Sequence, residues 1–106
     1  IAKFEQISAW NFQNKNRLLQ AELHYLNGNL KAADDAYNAS IVSACEHRWY
    51  NEEALGYELY GVFLIENRIV GSGINQLHIA IDKYRKWGAT KKAVDLQLLV
   101  DLVHPA

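Results

Sequence analysis

Shifted by 40 positions, the sequence falls on itself: Ala21 lands on Gly61, Ala33 on Gly73, Ser40 on Ala80, Tyr37 on Leu77, Gly28 on Arg68 and Leu59 on Leu99. In all but the Gly28 pair, small residues meet small ones and bulky residues meet bulky ones. A chain with such a period is restricted to arrays in which one supersecondary unit stacks on the next. The apolar spacing shows which unit repeats. Leu18, Ala21 and Tyr25 recur at three and four residues, as do Leu30, Ala33, Tyr37, Ile41 and Ala44 further on. The same spacing returns in Leu55, Leu59, Val62 and Phe63, in Ile74, Leu77, Ile81 and Tyr84, and in Ala93, Leu96, Val100 and Val103. It is the period of one face of an α-helix. The single proline stands at position 105, so it breaks no helix before it. No run alternates with period two, and no sheet is predicted.

Turn signals divide the helices. Gly28 suits the left-handed end of a first helix that starts at Asn11 or Asn14, and Asn29 caps a second helix with Asp34 and Asp35 near its start. The pattern resets at Trp49-Tyr50-Asn51, where Asn51 with Glu52 and Glu53 reads as the start of a third helix that fades at Glu66-Asn67-Arg68. Gly71-Ser72-Gly73 reads as a turn, with Ser72 capping a fourth helix that Gly88 closes. A fifth helix runs from about Thr90 to Val103. The prediction is an all-α chain: a leading segment from Ile1 to about Trp10, helix pairs at about 11–50 and 51–90, and the start of a third over 91–103. Small residues at 21, 33 and 40 around a large one at 37 follow the spacing of a tetratricopeptide unit, where a small side chain on one helix makes room for a large one on its antiparallel partner. The unit exceeds the usual length of about 34 residues, and the excess is assigned to the second helix, from Asn38 to Trp49.

The segments NFQNKNRLLQAELHYLNGNLKAADDAYNASI, NEEALGYELYGVFL and DKYRKWGATKKAVDLQ carry a further likeness. Asn11-Phe12, Lys15, Ala21-Glu22, Gly28, Glu52 to Leu55, Glu58-Leu59, Phe63, Tyr84 and Trp87 to Ala89 stand in the order of a known pattern, over about Phe4 to Gln97. In this the chain resembles the tetratricopeptide-like helical region of large multidomain signalling proteins, the serine/threonine or hybrid histidine kinases that contain a predicted ATPase. The resemblance implies antiparallel helix pairs stacked in a right-handed superhelix. Arg68 stands where that family has a turn glycine, and Gly71 and Gly73 stand where it has larger helix formers, so a longer loop is expected there.

Composition bounds the function. A chain of 106 residues, half of them hydrophobic, is one domain with enough apolar surface for a core, and disorder is excluded as its default. Net charge is -1 with both signs interspersed, which argues against nucleic acid as a partner. No apolar run approaches the roughly 20 residues that span a bilayer, so no membrane partner is expected. One cysteine forms no internal disulfide, in keeping with a cytoplasmic location. The missing initiator methionine and the abrupt close at His104-Pro105-Ala106 read as a piece cut from a longer chain.

Reactive chemistry is sparse. Cys45 and His47, two apart on a helix, diverge, and His78 with Asp82 supplies two metal ligands where a site needs three or four, so no metal or cofactor is expected. The pairs Asp34-Asp35 and Glu52-Glu53 suit helix N-terminal turns, and Gly71-Ser72-Gly73 lacks the residues of a phosphate loop. No catalytic set emerges and the chain is not read as an enzyme. Cys45 is expected to be partly buried, Trp49 and Trp87 to seal one helix pair against the next, and Tyr25, Tyr57 and Tyr60 to serve core or rim packing. What remains is surface. The register of the resemblance places Lys15, Glu22 and Tyr25 of the first unit and Glu58, Val62 and Ile65 of the second on the face where such stacks bind a protein or peptide. The expected function is a non-catalytic interaction or scaffold segment of a larger signal-transduction protein. The alternative is a structural spacer or homodimerisation element, with a homodimer formed through the apolar fifth helix.

Overall fold

The computed structural model describes residues 15–103, and all regular structure among them is helical. Helix α1 runs through residues 15–26 and is followed by α2 (Leu30–Glu46), α3 (Tyr50–Glu66), α4 (Val70–Trp87) and α5 (Thr90–Val103). The expectations for the leading segment 1–10, for Asn11 and Phe12, and for a helix start at Asn11 or Asn14 fall outside the described residues.

The four connections share one plan, repeated every 20 residues. Gly28, Arg48, Arg68 and Gly88 take positive φ values of 78°, 56°, 69° and 89°. The amide of the next residue closes the helix behind it: Asn29 N donates to His24 O at 2.9 Å, Trp49 N to Ala44 O at 3.0 Å, and Ile69 N to Leu64 O and Ala89 N to Tyr84 O, both at 2.8 Å. This is the six-to-one bond of a Schellman ending. The carbonyl of the same residue opens the helix ahead, accepting from Ala33, Glu53, Gly73 and Ala93 at 2.8, 3.0 or 3.1 Å. One residue thus finishes one helix and begins the next, and the reversal takes only residues 27–29, 47–49, 67–69 or 88–89. The Asn29 side chain adds the expected cap, accepting from Ala32 N at 3.3 Å.

Several sequence-based expectations are corrected. Helix α4 begins at Val70, so Gly71, Ser72 and Gly73 lie inside it, Ser72 caps nothing, and the loop is no longer than the others. The reason lies in size: a Cβ on Gly73 would stand 2.6 Å from Ile65 Cγ1 and 2.8 Å from the Gly61 carbonyl oxygen. Glycine is needed there for the closeness of two backbones. Arg68 itself adopts the left-handed conformation that a turn glycine would take. Helix α3 begins at Tyr50, one residue before the expected Asn51, because the Trp49 carbonyl already accepts its first bond. Helix α2 stops at Glu46, and the added length is shared among helices of 17 or 18 residues. Asp34 and Asp35 lie beyond the first turn of α2, whereas Glu52 and Glu53 occupy that of α3.

Packing follows chain order. Along α3 the contacts of α4 run backwards: Ile65 meets Gly73, Gly61 meets Leu77 and Glu58 meets Tyr84, so the two helices are antiparallel. Helices α2 and α3 are antiparallel by the same test, with Ile41 against Gly56 and Asp34 against Tyr60. Helix α3 also touches α1 through Tyr25 and Phe63 and α5 through Glu58 and Lys92. One core cluster joins Leu18, Ala21, Ala33 and Tyr37 to Phe63 and Leu64 of α3. A second joins Ala54 of α3 to Ile74, Leu77, Ile81 and Tyr84 of α4 and to Ala93, Leu96 and Val100 of α5. Helix α3 feeds both, and no residue from Glu52 to Ile65 is exposed. The smallest extent of the molecule, 18 Å, corresponds to about two helix thicknesses.

Candidate functional site

A tyrosine that packs in a core brings a hydroxyl that must find a partner. For Tyr25, Tyr37, Tyr60 and Tyr84 the partner is a carboxylate on another helix, and for Tyr57 it is the Cys45 thiol. Tyr37 Oη of α2 donates to Glu22 Oε1 of α1 at 2.7 Å, Tyr60 Oη of α3 to Asp34 Oδ1 of α2 at 2.7 Å, and Tyr84 Oη of α4 to Glu58 Oε1 of α3 at 2.8 Å. Tyr25 Oη of α1 donates to Glu66 Oε1 at 2.9 Å and accepts from Asn67 Nδ2 at 3.2 Å, with its ring edge-on to Phe63 at 4.8 Å. Lys92 Nζ of α5 completes the series at 2.9 Å from Glu58 Oε2.

Burial is the main reason that the Tyr37 and Tyr84 hydroxyls are pushed far above the ordinary phenol range, and the hydrogen bonds to Glu22 and Glu58 push the same way. Tyr60 is raised by burial and by Asp34. These phenols are held protonated as donors. They act as ties between helices.

Of the six residues placed on the interaction face, Glu22, Tyr25 and Glu58 are engaged in these ties. Val62 and Ile65 are half-buried against the second cluster, and Ile65 lies over Gly73. Lys15 is exposed at the start of the described chain. The structure brings Glu22 and Tyr25 of α1 close to Glu66 and Asn67 at the end of α3, and Glu58 to Lys92. Glu66, Asn67 and Lys92 pair with these residues and are missing from the sequence-based set. A core-register tyrosine without an acceptor in its own helix is the signal that could have found the carboxylates.

The aromatic plugs divide. Trp49 is half-buried with its ring stacked on His47 at 4.9 Å, whereas Trp87 is 58% exposed and seals nothing, because it sits on the outer side of the last α4 turn. It lines a shallow groove with Tyr50, Lys83 and Lys86. Lys83 is already held 3.4 Å from Glu53, and Lys86 3.1 Å from Asp82.

Cys45, near the end of α2, is exposed, where partial burial was expected. Its thiol is nevertheless turned toward Glu53 and Tyr57, and desolvation followed by the bond to Glu53 pushes its pKa up, which disfavours a reactive thiolate. His47 Nδ1 lies 2.7 Å from Ser43 O, within its own helix end. Among the described residues no three His, Cys, Asp or Glu side chains converge as metal ligands, and no helix is long and apolar enough to cross a membrane.

No family model, curated protein or solved structure matches the chain. The functional reading therefore rests on the residues themselves.

Proposed function

We propose that the chain is a non-catalytic interaction or scaffold segment of a larger, cytoplasmic signal-transduction protein. Its helix pairs are read as tetratricopeptide-like units stacked in a right-handed superhelix. The observation that carries this reading is the use of the polar side chains: the carboxylates and phenols that could have done chemistry are spent on fixing one helix against the next. A fold organised in this way offers a rigid surface. The face that α1 and α3 share, with Lys15, Glu22, Tyr25, Glu58, Val62 and Ile65, is where a protein or peptide would lie.

The test is a peptide-display selection on the folded chain, followed by mapping of bound peptide through backbone amide shifts. The reading expects shifts centred on Tyr25, Glu58, Val62 and Ile65, and Lys15→Glu, at an exposed position of the same face, should weaken capture at unchanged helicity. Peptides that shift only the outer faces of α2 and α4 would refute it. The second reading, a spacer or homodimerisation element, is favoured by one observation: Val94, Leu98 and Leu102 form an exposed apolar stripe on α5.

A further inference from the structure

Carried through the whole chain, the shift of 40 residues assigns a role to apolar residues that the fold leaves uncovered. Leu19, Leu59 and Leu99 are equivalent under it, and so are Leu23, Phe63 and Val103. In α3, Leu59 and Phe63 pack down onto the first helix pair. In α5, Leu99 and Val103 pack down onto α3 and α4. In α1 the same two positions are 55% and 43% exposed.

The opposite side behaves in the same way. Ala54, Glu58 and Val62 of α3 are covered, Ala54 and Val62 within the second cluster and Glu58 by Tyr84 and Lys92. Their equivalents on α5 are Val94, Leu98 and Leu102, all apolar and 52%, 57% and 83% exposed. The molecule therefore has two unlike ends. One carries the residues that a helix pair uses to sit on its predecessor, and the other carries the positions on which a successor sits.

We infer that a second copy of this chain docks head to tail, with the Leu19 and Leu23 face of its α1 on the Val94, Leu98 and Leu102 face of α5. The occupant is argued from continuity with the joints inside the chain: α3 lies on α1, α5 lies on α3, and the α1 of a second copy continues the series with the same residue positions. Such a contact joins two different surfaces. It does not close on itself, and it leaves a free face at each end of the assembly. The inference rests on the self-association reading and adds its geometry.

The test combines light scattering with two double variants, L19E/L23E on α1 and L98E/L102E on α5. All four positions are exposed, so helicity measured by circular dichroism should be unchanged; the corresponding Gln pairs replace any variant that loses it. The wild-type chain should gain mass with concentration beyond that of a dimer. Each variant alone should stay monomeric, and an equimolar mixture should form a one-to-one dimer, because each supplies the face the other lacks. A wild-type chain that stays monomeric at every concentration overturns both the inference and the self-association reading. Association that survives in L19E/L23E alone means a two-fold α5 contact, which overturns the head-to-tail arrangement and leaves self-association standing. A mixture that stays monomeric while the wild type associates also overturns it.

Discussion

Two glycines two residues apart in α4 should respond to the same substitution with opposite sign. Gly71 is exposed, and a Cβ built on it meets nothing within 4 Å. Gly71→Ala therefore gains helix propensity, about 1 kcal/mol, at no packing cost. Gly73→Ala gains the same propensity, but its Cβ would stand 2.6 Å from Ile65 Cγ1, 2.8 Å from the Gly61 carbonyl oxygen and 3.0 Å from Ile65 N. Two of those atoms are backbone, so relief requires α3 and α4 to separate along their crossing. Overpacking costs about 1–3 kcal/mol, and here the upper part of that range applies, because no side-chain rotation removes the contact. The net effect should be a loss of roughly 1–2 kcal/mol, about 4–16 °C in melting temperature for a domain of this size.

Gly61→Ala and Gly56→Ala grade the argument. At Gly61 the closest atoms are the flexible end of Leu77 at 2.8 and 2.9 Å, with the Gly73 carbonyl at 3.0 Å; at Gly56 only Ile41 Cγ1 comes within 3 Å. The expected order of stability is Gly71→Ala above wild type, then Gly56→Ala, Gly61→Ala and Gly73→Ala. Urea unfolding followed by far-ultraviolet circular dichroism reads it directly. If Gly73→Ala were as stable as Gly71→Ala, the close α3–α4 crossing would be wrong.

Further outcomes follow from the turns and the phenols. Arg68 and Arg48 hold left-handed φ values with exposed side chains, so Arg68→Gly should raise stability by about 1 kcal/mol, seen as a higher urea midpoint at unchanged slope; a fall would mean that the side chain contributes more than the strained backbone costs. Tyr37, Tyr60 and Tyr84 hold their protons to higher pH in the folded chain than in the unfolded one. The native state therefore binds more protons above the unfolded phenol range, and stability is complete below about pH 10 and falls as pH rises beyond it. Urea midpoints across that range should show the decline, and Tyr37→Phe should flatten it while costing some stability at neutral pH.

Helix number and order were legible because each face keeps its three-and-four spacing, and because Gly28, Asn29 and Gly88 carry turn chemistry in their side chains or in the lack of one. The turns at Arg48 and Arg68 were legible only as places where the pattern fades. Their conformation is imposed by the bonds to Ala44 and Leu64 and is not a preference of arginine. Gly73 misled because glycine has two uses: freedom of the backbone, which a local reading assumes, and absence of a side chain, which only the crossing with Gly61 reveals. The tyrosine ties were illegible for a related reason. Tyr84 and Glu58 lie 26 residues apart, and no local pattern pairs them. The register of the resemblance singled out Glu22, Tyr25 and Glu58, but their hydrogen-bond partners required the helices to be set side by side.

Because each described helix leans only on those one or two places away in chain order, no element among the described residues straps α1 to α5. A pull on the termini would be borne in series, like tension along a chain of links. Among the described residues the outer helices, α1 and α5, have the fewest partners and would peel first. The middle one, gripped by four neighbours, would hold longest, so the module is built to stretch in stages before it ruptures.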